Sequence, residues 1–116
     1  GYTDKHWGEA DYFQVSPYLG VDAAEWMVEQ GIKMVAIDFQ TDKPGDVEFP
    51  VHNVLLSKEV YILEYISNVQ DLFNQRFGSE FILSVGSLKL QNLEASTARV
   101  FAIQKLVWQS IGPTQS

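Results

Sequence analysis

His52 and Glu64, twelve residues apart, are the pair whose types could do chemistry together in this 116-residue chain. The segment runs His52-Asn-Val-Leu-Leu-Ser-Lys-Glu-Val-Tyr-Ile-Leu-Glu64-Tyr-Ile. Imidazole and carboxylate ligands suit zinc or manganese. Read as a strand, Val60 to Ile66 places Val60, Ile62, Glu64 and Ile66 on one face, because side chains alternate. Glu64 then stands between two isoleucines, where a carboxylate needs a cation, a metal or several hydrogen-bond donors. For the two side chains to meet, the chain must turn at Ser57-Lys58-Glu59; on one continuous helix they would lie about 18 Å apart. Two ligands also fall short of the three that a catalytic zinc usually takes from protein. The structural alternatives stay open: a histidine that only packs, and a glutamate paired with Lys or Arg or placed at a strand end.

Other residues carry weaker signals. Asp38 ends an apolar run and is a candidate substrate-binding residue, since the carboxyl ends of strands in α/β sheets line ligand crevices; a plain turn acid fits equally. His6, the other histidine, sits in a polar lead-in and reads as solvated. Trp7, Tyr12, Tyr18 and Trp26 read as core residues rather than as a pocket lining, because large rings dominate core burial. The Asp42-Lys-Pro-Gly45 stretch reads as a turn and nothing more. No residue is assigned a catalytic role.

The elements that must position these groups follow from pattern. Residues 1–19 are polar and aromatic without a period and read as an irregular lead-in. Asp22-Ala-Ala-Glu25 resembles a capping box and predicts a helix over Ala23 to Gln30, with Ala23, Trp26, Met27 and Gln30 near one face and Gly31 ending it. Ile32 to Asp38 is apolar without alternation and predicts a strand covered on both faces. Asn53 to Ser57 is read as one helical turn. Val60 to Ile66 is the second strand. Ser67-Asn-Val-Gln70 opens a helix from Val69 towards Phe77. Strands follow at Phe81 to Val85, Ser87 to Gln91 and Ala98 to Gln104, and 105–116 reads as a tail. The fold class is α/β in the broad sense (α+β): a mixed sheet with two main helices, in a single domain over 1–116.

Composition narrows the function classes. Fifteen acids against eight bases give a net charge of −7, and the bases are scattered. Nucleic-acid binding relies on clustered Lys and Arg to neutralise phosphates, so no nucleic-acid partner is expected, and no anionic membrane surface either. With no cysteine, thiolate zinc sites and disulfides are excluded. No apolar run reaches the ~18 residues of a membrane span, and the N-terminus lacks a signal-peptide layout. We place the chain in the cytoplasm.

Four blocks resemble a known family: Tyr12-Phe13…Ser16-Pro17-Tyr18-Leu19 with Ala23-Ala24-Glu25-Trp26-Met27; Gly31 to Asp38; His52-Asn-Val-Leu-Leu with Val60-Tyr-Ile-Leu-Glu64-Tyr; and Ser87-Leu-Lys-Leu with Ala98 to Ile103. Their order is similar to the C-terminal half of the cyclase-like metal-dependent hydrolases, a family that includes bacterial kynurenine formamidase and has isatin hydrolase as a relative. The resemblance implies part of a swivelling β/β/α fold, and it implies that His52 and Glu64 are metal ligands. The family's H-x-G-T-H-x-D-x-P-x-H motif, which supplies most of its ligands and its acid–base histidine, has no counterpart here.

Two functions follow as expectations. One is a truncated cyclase-like domain without catalysis of its own, serving as a binding or assembly module. The alternative is part of a metal-dependent amidohydrolase whose other ligands come from another chain or an absent half. The cofactor is Zn or Mn, or none in this chain alone. A two-fold dimer is the expected assembly, because a strand apolar on both faces needs more cover than two helices give; a small-molecule ligand is compatible with either reading.

Overall fold

The computed structural model describes residues 1–74 and 80–104. Contacts gather into two compact units, Gly1–Gln70 and Asp71–Ser116. Among the described residues there are four helices and two two-stranded sheets, an α+β arrangement.

The first unit is built on a repeated junction. Helix α2 (Val21–Glu29) leads into strand β1 (Met34–Ala36), and helix α3 (Pro50–Ser57) leads into strand β2 (Tyr61–Leu63). After α2, the Gly31 N–H bonds the Val28 carbonyl and the Ile32 N–H bonds the Met27 carbonyl. After α3, the Glu59 N–H bonds Leu56 and the Val60 N–H bonds Leu55. Both are Schellman caps, which close the last carbonyls of a helix around one left-handed residue. That residue is Gly31 (φ 71°) in the first and Glu59 (φ 58°) in the second. The turn demanded at Ser57-Lys58-Glu59 is this second cap.

The two strands pair in parallel, with Met34 opposite Tyr61, Val35 opposite Ile62 and Ala36 opposite Leu63. A parallel pair needs a crossover, and α3 lies within it. Ala24, Val35, Val51, Leu55 and Val60 form the buried core, with Met27, Val28, Ile32, Val54 and Ile62 packed against it. Val51 and Leu55 are one helical turn apart, so both point inward. Burying Leu55 completely stabilises by about 1.5–3 kcal/mol relative to leaving it in water.

Several expectations are corrected here. Helix α2 begins at Val21 with Gly20 at the cap and no side-chain cap bond, so Asp22 sits inside the first turn instead of capping it. Its inward stripe runs through Ala24, Met27 and Val28, while Trp26 is exposed. The helical turn expected at Asn53 to Ser57 is the full α3, whose first position is Pro50, a residue preset for that place. Strand β1 is three residues long with Val35 buried and Ala36 exposed, so it is not covered on both faces. The lead-in is not irregular throughout: Tyr2–His6 forms helix α1. Its Thr3 N–H bonds the Asp38 carboxylate at 3.1 Å, and the Thr3 hydroxyl bonds the Asp38 carbonyl.

Helix α4 (Val69–Asn74) starts in the first unit. At its start the Asp4 carboxylate of α1 accepts from the Asn68 N–H at 3.0 Å and the Gln70 N–H at 3.4 Å. The rest of the expected helix to Phe77, and the expected tail at 105–116, fall outside the described residues.

In the second unit, β3 (Phe81–Ser87) and β4 (Ala98–Gln104) make an antiparallel ribbon. Leu83 faces Ala102 and Val85 faces Val100 across it. The two strands expected at Phe81 to Val85 and Ser87 to Gln91 are one strand ending at Ser87. Leu88 and Leu90 are exposed beyond it; among the described residues the ladder ends at the Ser87–Ala98 pair. The sheet expected to be mixed is therefore two separate sheets, one parallel and one antiparallel.

Candidate functional site

The site forms where β1 and β2 end together and α3 begins. The chain leaving β1 brings Thr41 and Asp42, the first turn of α3 brings His52, and the residue just past β2 is Glu64. Carboxyl ends of parallel strands meeting a helix N-terminus are where α/β sheets bind ligands.

Helix α3 has no capping side chain of its own, because Phe49 occupies the cap position in a left-handed conformation (φ 48°). Asp42 does the capping, from nine and ten residues before the N–H groups it accepts. Its Oδ1 accepts the Val51 N–H at 2.7 Å and its Oδ2 the His52 N–H at 3.1 Å. Pro50 carries no N–H, so three donors are open at this helix start, and Asp42 satisfies two of them. The same Oδ2 lies 2.6 Å from the His52 ring Nδ1. Thr41 completes the cluster. It is fully buried, its N–H and its hydroxyl each bond Glu64 Oε1 at 2.7 Å, and its hydroxyl is 2.9 Å from His52 Nδ1. Glu64 thus finds its donors in Thr41 rather than in Lys or Arg. His52 Nε2 points towards Glu64, 4.0 Å from its Oε1. Among the described residues no buried side-chain polar atom lacks a partner.

Asp42, His52 and Glu64 border a cleft of about 290 Å³, with Thr41 buried behind them. Phe49 and Tyr65 provide its aromatic walls, and Gln40 and Lys43 share the lining. The Phe49 ring meets the His52 ring edge-on, with centroids 5.7 Å apart. Tyr65, also at positive φ (57°), donates its hydroxyl to Gln40 Oε1 at 3.2 Å. Behind it stand Phe13 at 5.9 Å and Tyr12 at 6.5 Å between centroids. Burial, then the Glu64 charge and Tyr12, push the Tyr65 phenol above its ordinary value of 10.0.

The structure brings His52 and Glu64 together and leaves Asp38 elsewhere: its buried carboxylate anchors α1 and is not among the cleft-lining residues. His6 is bonded to Glu9 at 2.9 Å on the surface. Of the four aromatics expected in the core, only Tyr12 is buried, at 3% exposed; Trp7, Tyr18 and Trp26 are exposed by half or more. Tyr12 earns its place through a 2.6 Å bond between its hydroxyl and that of Thr3. The sequence reading missed Thr41 and Asp42, having taken the loop as a plain turn. A signal was present: Phe49-Pro50 starts a helix without a capping side chain, so a distant acceptor had to supply one.

The donor set can be tested against a metal. Bonds of about 2.0–2.2 Å in a tetrahedral shell place two ligand atoms about 3.4 Å apart; His52 Nε2 and Glu64 Oε1, at 4.0 Å, stand a little wider than that and would have to close in to share an ion. The Asp42–Nδ1 contact is the outer-shell bond that a ligating histidine usually makes. Among the described residues, however, no group of three or more His, Asp or Glu side chains is arranged to hold an ion. The residues fit two positions of a coordination shell and do not make a whole one.

The model of a family described as "Putative cyclase" matches residues 1–43. The match includes Thr41 and Asp42 and stops before His52 and Glu64. No curated protein and no solved structure matches the chain. No helix among the described residues is long and apolar enough to cross a membrane.

Proposed function

We propose that this chain contributes His52 and Glu64 to a composite metal-dependent site of the cyclase type, and that it binds without turning over when alone. The observation that supports this is the 4.0 Å approach of His52 Nε2 to Glu64 Oε1, with Nδ1 already held by Asp42. The remaining ligands come from another chain or segment. A bound Zn²⁺ or Mn²⁺ would supply Lewis acidity towards a carbonyl, in keeping with formamidase-type hydrolysis of C–N bonds. The chain's own part is to fix the imidazole and the carboxylate and to wall the cleft with Phe49 and Tyr65.

Calorimetric titration with Zn²⁺ and with Mn²⁺ tests the reading. Saturable uptake that is lost in His52→Ala and in Glu64→Gln is expected. Uptake that ignores both substitutions, or no uptake, overturns it. The isolated chain should show no turnover of N-formylkynurenine or similar aryl amides, since no second histidine stands by for acid–base work.

The second reading is a binding or assembly module without metal, favoured by the pairing of His52 with Asp42 at 2.6 Å. Both readings accommodate a two-fold dimer as the source of missing cover and ligands. Light scattering at micromolar concentration would then give twice the 13.1 kDa chain mass.

A further inference from the structure

The bonds around Thr41 have only one consistent set of directions. An ionised carboxylate carries no proton, so Glu64 Oε1 accepts from the Thr41 hydroxyl at 2.7 Å. A threonine hydroxyl has a single proton, and that bond uses it. Towards His52 Nδ1, 2.9 Å away, Thr41 is therefore left as an acceptor. Asp42 Oδ2, at 2.6 Å from the same nitrogen, is an acceptor too. Two acceptors converge on Nδ1, so a neutral His52 ring carries its hydrogen there and its Nε2 lone pair is bare. Thr41 is fully buried and Asp42 is 5% exposed, so water does not compete for either bond.

We propose that Thr41 and Asp42 are the positioning residues of the His52–Glu64 pair: together they lock the imidazole as its Nδ1–H tautomer with Nε2 open, and Thr41 aims the Glu64 carboxylate at the same opening. The two residues divide the task. Asp42 sets the tautomer and starts the helix that carries the ring. Thr41 ties carboxylate and ring into one unit through a single oxygen. The structural part stands on hydrogen-bond direction alone; its consequence for metal uptake rests on the composite-site reading.

The test uses the ¹⁵N-labelled chain and long-range ¹H–¹⁵N correlation of the His52 ring at neutral pH. The expected wild-type ring is protonated at Nδ1 and bare at Nε2. Asp42→Asn can turn an amide donor towards Nδ1 and should swing the proton to Nε2. Thr41→Val should keep the tautomer but shift the Nδ1 proton resonance, and Thr41→Ser should return it. In a parallel Zn²⁺ titration, Thr41→Val should weaken uptake about tenfold, the lower end of what outer-shell losses cost, and Thr41→Ser should restore it. A wild-type ring protonated at Nε2 overturns the proposal, as does a Thr41→Val chain matching wild type in the ring spectrum. If the wild type takes up no Zn²⁺, the composite-site reading falls and the ring spectrum alone decides. Should Asp42→Asn fail to fold, the Val and Ser variants of Thr41 carry the test.

Discussion

Asp42 and His52 are joined twice through one oxygen: Asp42 Oδ2 accepts the His52 backbone N–H at 3.1 Å and faces its ring Nδ1 at 2.6 Å. One carboxylate thus starts a helix and orients the side chain that the helix presents. Removing it should be felt in folding before any chemistry is assayed. Asp42→Ala leaves the Val51 and His52 N–H groups without their acceptor and the ring with Thr41 alone, at a cost of about 2–3 kcal/mol. A urea titration with unchanged slope and a lower midpoint would report it.

The core depends on Leu55 and not on its neighbour. Leu55→Ala opens a cavity at a fully buried site and should cost about 2–5 kcal/mol. Leu56, 54% exposed, should tolerate alanine within about 0.5 kcal/mol. Equal effects in a denaturant series would mean α3 is turned differently from its described orientation.

The two Schellman junctions make a matched pair. Glu59→Gly relieves a side chain held at φ 58°, and should raise stability by about 1 kcal/mol. Gly31→Ala puts a Cβ where φ is 71° and no atom lies within 4 Å, so the loss, of similar size, is purely conformational. Differential scanning calorimetry of both variants should move the midpoint in opposite directions.

Tyr65 predicts a dependence on alkaline pH. Its phenol holds its proton more tightly in the fold than at 10.0 because burial and Glu64 disfavour the phenolate. The unfolded chain therefore ionises first. Stability is unaffected below about pH 10 and falls as pH rises towards the folded-state value. Tyr65→Phe should remove this part of the decline, with ultraviolet absorbance of the phenolate following the titration in both chains.

Local pattern showed the elements more readily than their limits. Gly31 marked the end of α2 because left-handed backbone has a sequence signature, whereas Glu59 does the same after α3 without one. The expected strand Val60–Ile66 is only Tyr61–Leu63, and Tyr65 at φ 57° breaks it, so Glu64 lies just past the strand; the demand that a carboxylate between two isoleucines find donors is met, by Thr41. The parallel pairing brought His52 and Glu64 together, and the family-like spacing anticipated that meeting. Thr41 and Asp42 were illegible for a different reason: their work is done on residues nine to twenty-three positions away, and a turn-like composition conceals long-range acceptors. Trp26 misled because a large ring on a short helix was taken for its inward face, when small Ala24 is what lets α2 approach the core.

The parallel ladder of β1 and β2 has just three partnered positions, and it acts as a gauge for the site. A slip of one residue would carry Glu64 about 3.3 Å along the strand and turn it to the opposite face. Both bonds from Thr41 would break at once, and the imidazole would lose its facing carboxylate. Apolar matching of Val35 with Ile62 thereby sets a distance between polar atoms that neither residue touches. Alignment of oil in this small sheet is also the calibration of its chemistry.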